Sequence, residues 1–131
     1  EYTAIYKYIE NIQLRARERA AEIKVPVVVT IVDQAGRVVF VYRMEDSLLV
    51  SLELSKSKAY TAVAMKQPTH EISAAIQPGA MLYQLESMVD EKVTTFGGGF
   101  PILENGNIVG GLGISGGTTE EDMDIARYAL R

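Results

Sequence analysis

Nine of the eleven glycines in this 131-residue chain fall within 24 consecutive positions, 96–119 (FGGGFPILENGNIVGGLGISGGTT). Gly97, Gly98 and Gly99 precede an apolar run, and Asn105-Gly106 separates two apolar runs. Gly110, Gly111 and Gly113 interrupt the second run, and Gly116-Gly117 end it before an acidic segment. An Asn-Gly pair between apolar runs marks a two-residue hairpin turn. Glycine inside a strand removes side-chain volume at an entropic cost, so it marks strand irregularity or close approach of another backbone or a ligand. The expectation is that these glycines form one wall of a cleft. Gly97, Gly98 and Gly99, followed by Phe100-Pro101, then offer backbone N–H donors in a mostly apolar small-molecule pocket.

The segment GLGISG at 111–116 also satisfies the G-x-G-x-x-G pattern of dinucleotide sites. Such a site needs a following parallel strand and an acidic residue about twenty positions on. The sequence stops at Arg131, and the next helix opens on Glu120, Glu121 and Asp122, which would repel a phosphate placed at its N-terminus. The dinucleotide reading is rejected. Residues 113–117 (GISGG) fit the serine-elbow pattern, but no histidine follows Ser115 to complete a triad. Ser115 therefore reads as a serine at the end of a strand.

Length and composition fit one globular domain, 1–131, with 47% hydrophobic and 23% charged residues. A formal charge of −4 gives no footprint for nucleic acid. No apolar run is long enough to cross a membrane. The absence of cysteine removes disulfides, thiolate metal sites and cysteine nucleophiles. The protein is expected in the cytoplasm, although a chain opening on Glu1 without methionine leaves room for a cleaved leader.

Apolar residues at three- and four-residue steps (Ile5, Ile9, Ile12, Ala16, Ala20, Ile23) predict a first helix over 3–23, ended before Pro26. Two β-branched runs, 27–32 and 38–42, flank Asp33-Gln34-Ala35-Gly36 and predict a hairpin apolar on both faces. A long helix is expected over 47–65, with Ser51, Ser55, Ala59 and Ala62 as a small-residue stripe that lets it lie close on a sheet. A short helix capped by Thr69 follows, then a brief strand at 93–96 and a hairpin from 100–104 and 107–115. Thr118 and Glu121 form a capping box for the last helix. The order predicts an α+β domain: an antiparallel sheet of about five strands with helices packed on it, like profilin-like or PAS-like domains.

His70 is the only imidazole, and a neutral imidazole can ligate haem iron or simply hydrogen-bond. Alone it cannot make a closed zinc site. Lys56 and Lys58 read as exposed helix surface, with Lys58 placed to meet an anionic group, and Arg43 as a strand-end cation. Asp90-Glu91 and the acidic residues at 120–124 read as solvated charge, since neighbours on one segment do not face each other across a substrate.

The motifs FGGGFPI (96–102) and VGGLGISGG (109–117), with Glu121-Asp122, resemble the GlcG/HbpS-like family. Val32-Asp33-Gln34-Ala35-Gly36, Arg43-Met44, Lys58-Ala59, Gln67-Pro68-Thr69-His70-Glu71 and Gln77-Pro78-Gly79 resemble its branch formed by the PduO C-terminal domain and OrfY-type proteins. The resemblance implies a profilin-like fold, a homo-oligomer, and non-catalytic binding of haem or a related tetrapyrrole, in some members as an accessory to cobalamin-dependent diol or glycerol metabolism. Haem-binding histidines in the family lie outside the glycine motifs, and this chain has none in its first helix. His70 is then the haem-iron ligand, Gly97, Gly98 and Gly99 approach the ring, and Lys58 or Arg43 offsets propionate charge. Two other readings stay open: an enzyme acting on a small organic acid or aldehyde with His70 as acid or base, and a scaffold assembled through exposed tyrosines and sheet edges.

Overall fold

Strand β1 (Val28–Asp33) is buried along its entire length, which places it at the centre of the sheet. The structure, a computed structural model, describes residues 2–131. β1 pairs antiparallel with β2 (Val38–Arg43) on one side and with β4 (Asn107–Ser115) on the other, and β4 pairs antiparallel with β3 (Gly99–Glu104). The sheet order is β2-β1-β4-β3. No strand pair is parallel, which removes the dinucleotide reading on topology as well as on motif.

The alternation of side chains across the strands separates two helical layers. Val29, Ile31, Leu112 and Ile114 belong to a core shared with Ile12, Ala16 and Ala20 of helix α1 (Ile9–Ile23) and Ile125, Ala126 and Ala129 of helix α4 (Thr119–Ala129). Thr30, Gly111 and Gly113 point the other way, onto helix α2 (Ser51–Met65). The continuous β-branched run of β1 is thus covered on both faces, as its composition predicts. Strand β2 is not covered to the same degree. Val38, Val41 and Tyr42 are each more than a third exposed, because β2 is a sheet edge.

The small-residue stripe of α2 is buried, and the glycines of β4 are its counterpart. A β-carbon at Gly113 would overlap the Ser55 carbonyl oxygen, and one at Gly111 would overlap that of Ala59. The helix backbone itself therefore fills the space where a side chain would stand. Gly106 has a different reason. Asn105 and Gly106 turn the β3–β4 hairpin at φ +52° and +82°, and a β-carbon at Gly106 would meet nothing within 4 Å.

Four boundaries differ from the sequence expectation. The first helix is split: a 3-10 segment (Tyr2–Lys7) drops Ile5 into the core against Gly110 before α1 begins. Helix α2 starts at Ser51 rather than 47, because Asp46 turns at φ +69° and Ser47 Oγ donates to the Met44 carbonyl at 2.7 Å. The Thr69 segment is 3-10 over Thr69–Ile76, followed after a turn by the short α3 (Leu85–Met88). Residues 93–96 form no strand, so the sheet has four strands rather than five. Their backbone is held by hydroxyls instead of a ladder: Thr94 N donates to Thr61 Oγ1 (3.0 Å) and Phe96 N to Thr94 Oγ1 (3.3 Å). The capping box is present, with Glu121 N donating to Thr118 Oγ1 (3.2 Å) and Thr118 N to Glu121 Oε1 (2.8 Å).

The two kinds of glycine differ in what replacement costs. Gly113→Ala is expected to lower stability in urea unfolding by about 3–4 kcal/mol, since a backbone carbonyl must move. Gly106→Ala is expected to cost about 1 kcal/mol, the strain of a left-handed alanine alone. Equal losses would contradict this division.

Candidate functional site

The glycines at 97–99 are enclosed by the helices rather than open to a cleft, which corrects the cleft-wall expectation for this stretch. A β-carbon at Gly97 would lie 2.6 Å from Met123 Sδ, one at Gly98 3.0 Å from Asp122 Cβ, and one at Gly99 would overlap the Lys58 carbonyl. Thr69 pins the loop: its Oγ1 accepts from Gly99 N (3.0 Å) and donates to the Phe96 carbonyl (2.8 Å). His70 follows directly, so the glycine loop and the imidazole are brought together through Thr69.

The His70 side chain is 28% exposed. Its ring lies 5.7 Å from that of Phe100 at 51°, and the Arg127 guanidinium sits 5.5 Å over the Phe100 ring. Nε2 is 4.0 Å from a Glu71 carboxylate oxygen, and the buried Nδ1 has no hydrogen-bond partner among the described residues. An imidazole with neither nitrogen firmly committed is free to take a ligand.

Lys58 is not on the surface, which corrects the reading of it as exposed. It is 2% exposed and its Nζ donates to Asp122 Oδ2 (2.9 Å) and to the Ile114 carbonyl (2.8 Å). Asp122 is 3% exposed, so it too departs from the solvated charge expected of the acidic cluster; its Oδ1 accepts from Gly117 N (2.9 Å). The signal for this was in the spacing. Asp122 falls on the stripe of Ile125, Ala126 and Ala129, the buried face of α4. Burial is the dominant influence on both charges, lowering Lys58 from the ordinary lysine range and raising Asp122 from the ordinary carboxylate range.

Beside this pair lies a recess of about 130 Å³, lined among others by Leu48, Leu54, Phe96, Ser115, Gly116 and Gly117. Here two of the signature glycines do border a cavity. Ser115 Oγ donates to Ser51 Oγ (3.1 Å) at its base, with no imidazole in reach. Arg43 stands apart from His70, on the edge strand β2, with Nη2 donating to the Ser47 carbonyl at 3.4 Å. Strand β3, beside His70, is three strand spacings away, about 14 Å. A larger recess, about 450 Å³, opens between α1, α4 and β3, lined in part by Tyr8, Ile12, Arg15, Ile102 and Arg131. Of the residues the sequence placed at a pocket, Pro101 lines it and His70, Lys58, Arg43 and Gly97, Gly98 and Gly99 do not. The Tyr8 hydroxyl donates to Glu104 Oε2 (2.6 Å), a bond that raises the phenol above the usual tyrosine range and so disfavours a tyrosinate ligand there. No group of three or more metal-ligating side chains occurs among the described residues.

The pair carries a pH dependence whose sign differs for its members. Asp122 is raised in the folded state, so its contribution is present at acid pH and lost as pH rises through the folded value. Lys58 is lowered, so its contribution is present at alkaline pH and lost as pH falls through the folded value. Near neutrality the intact pair carries its full desolvation cost. Lys58→Met or Asp122→Asn alone is expected to cost about 3–5 kcal/mol, by leaving one charge without its partner. The Lys58→Met/Asp122→Leu double variant should lose less than either, with its standing relative to wild type best near neutral pH. Urea titrations across pH check both; a double variant worse than each single would contradict the account.

The chain is similar to known proteins. A family model described as haem degrading protein, HbpS-like, matches residues 7–131. The corrinoid adenosyltransferase PduO of Salmonella typhimurium is 57% identical over 115 residues, 88% of this chain but only 34% of that protein. The chain thus spans about a third of the length of that relative. Among solved structures, the PduOC:heme complex aligns with a TM-score of 0.93 and 53% identity, covering 95% of this chain and 91% of that one. Klebsiella pneumoniae protein ORFY aligns at 0.92 with 37% identity, covering 95% and 86%. The fold is matched over nearly the full length, and the chain belongs to the HbpS-like family.

Proposed function

We propose that this chain, residues 1–131 acting as one profilin-like domain, is a non-catalytic binding protein for haem or a related tetrapyrrole. It works as a homo-oligomer, and its setting is cobalamin-dependent diol or glycerol metabolism. The observation that carries the reading is the likeness to the PduOC:heme complex, at 53% identity over 95% of the chain. The metabolic setting is supported by the PduO relative.

Within this chain the surface around His70 fits such a group. It offers an imidazole whose Nε2 is not firmly committed, the Phe100 ring beside it and the Arg127 guanidinium over that ring. A planar, aromatic, anionic molecule finds there a nitrogen ligand, a stacking surface and a countercharge. Haem, when bound, supplies an iron that takes axial ligands and changes oxidation state. His70 is the ligating residue and Arg127 takes the propionate role, because Lys58 is committed to Asp122 and Arg43 lies on the far edge of the sheet. Gly97, Gly98 and Gly99 act at one remove, by letting Thr69 fix the position of His70.

One protomer offers His70 an open surface, so the second face of a bound ring must be covered by another copy. The apolar side chains left exposed support this assembly: Met81 is 89% and Met88 80% exposed, and Phe96 is also largely uncovered.

Haem titration followed in the Soret region tests the reading. Wild type is expected to show a shifted, saturable Soret band, and His70→Ala to weaken binding by about tenfold or more. An unchanged band in the variant removes His70 from the site; no band in wild type removes the reading. Light scattering of the purified protein should give a mass of at least two chains.

A further inference from the structure

Lys58 is a primary amine with a carboxylate partner inside the fold, and it lines the recess beside Gly116 and Gly117. Two of its three N–H donors are taken, by Asp122 and by the Ile114 carbonyl. The remaining lining separates into a polar base, made by Ser115 and Gly117, and an apolar rim of Leu48, Leu54 and Phe96. About 130 Å³ has room for roughly four water-sized groups. That is far smaller than a tetrapyrrole and suits a short-chain molecule with one polar end.

We infer that Lys58 Nζ captures short-chain aldehydes or ketones as a Schiff base in this recess, with Asp122 as its proton partner. The inference goes beyond the tetrapyrrole reading and does not depend on it. The steps balance on residues already in contact. The Lys58 ammonium passes a proton to Asp122 Oδ2, 2.9 Å away, and its freed lone pair forms a bond to the carbonyl carbon. The carbonyl π pair moves to oxygen, which takes a proton from the attacking nitrogen and gives a carbinolamine. Asp122 then returns its proton to that hydroxyl, the C–O bond breaks, and water leaves as the nitrogen lone pair forms C=N. The product is an iminium beside an Asp122 carboxylate, so one buried positive charge faces one buried negative charge before and after. Burial favours the first step, since it draws Lys58 and Asp122 toward their neutral forms. The apolar rim selects the alkyl end of the carbonyl compound.

Reductive trapping of the full chain tests the inference. Propanal and sodium cyanoborohydride are added at neutral pH, and adducts are mapped by peptide mass spectrometry. Lys58 is expected to be alkylated about tenfold faster than Lys7, Lys24, Lys56, Lys66 or Lys92, as an amine drawn toward its neutral form by burial. Two controls share the readout. In urea the preference should vanish, and 2-naphthaldehyde, too large for the recess, should spare Lys58 in the folded protein. Lys58 labelled no faster than the other lysines overturns the proposal. So does a preference that survives unfolding, or equal labelling by the bulky aldehyde. Because Lys58 does not touch the His70 surface, haem binding by the trapped protein reports separately on the other site.

Discussion

Helix α2 lies against strand β4 so closely that its own carbonyl oxygens take the places of the missing side chains at Gly111 and Gly113. That contact sets the geometry of much else. It buries the face of α2 bearing Ser51, Ser55, Lys58 and Ala59, and it takes the lysine almost entirely out of bulk solvent. A buried ammonium must then find a carboxylate, and the partner comes from the first turn of α4, on a different layer of the molecule. Asp122 in turn accepts from Gly117, so one ion pair joins α2, the end of β4 and the start of α4. Each of these elements is held by a contact that exists only because another has approached closely.

The glycine-rich segment therefore serves three separate physical ends. In the middle of β4 it admits a helix backbone, and at Asn105-Gly106 it turns a hairpin. At 97–99 it lets the chain pass between Thr69, Lys58 and Met123 without side chains of its own. Gly116 and Gly117 border the recess beside Lys58. A motif that reads as a ligand cradle is mostly a packing device, and its link to binding runs through the residues it positions.

Two surfaces of different chemistry result. Around His70 the groups are a half-buried imidazole, a half-buried aromatic ring and an exposed guanidinium, suited to a large planar anion. Around Lys58 the groups are buried, paired and confined to a small recess. The chain matches about a third of PduO, so its fold recurs both within a larger protein and in the ORFY structure.

The sequence alone determined the elements that depend on neighbours in the chain. Helix periodicity placed α1, α2 and α4, the Asn-Gly turn placed the second hairpin, and the Thr118–Glu121 pair marked where α4 begins. The run of β-branched residues in β1 also carried its double-sided burial. The strand expected at 93–96 failed because nothing local distinguishes an extended segment held by a ladder from one held by Thr61 and Thr69 hydroxyls. Lys58 failed for the same reason, its partner lying 64 residues away, whereas Asp122 carried a local signal in its place on the apolar stripe of α4. Only the tertiary structure decided the burial of those charges, the enclosure of Gly97, Gly98 and Gly99, and the separation of His70 from Arg43. Solvent exclusion is a property of the assembled layers, and no local pattern records which layers will meet.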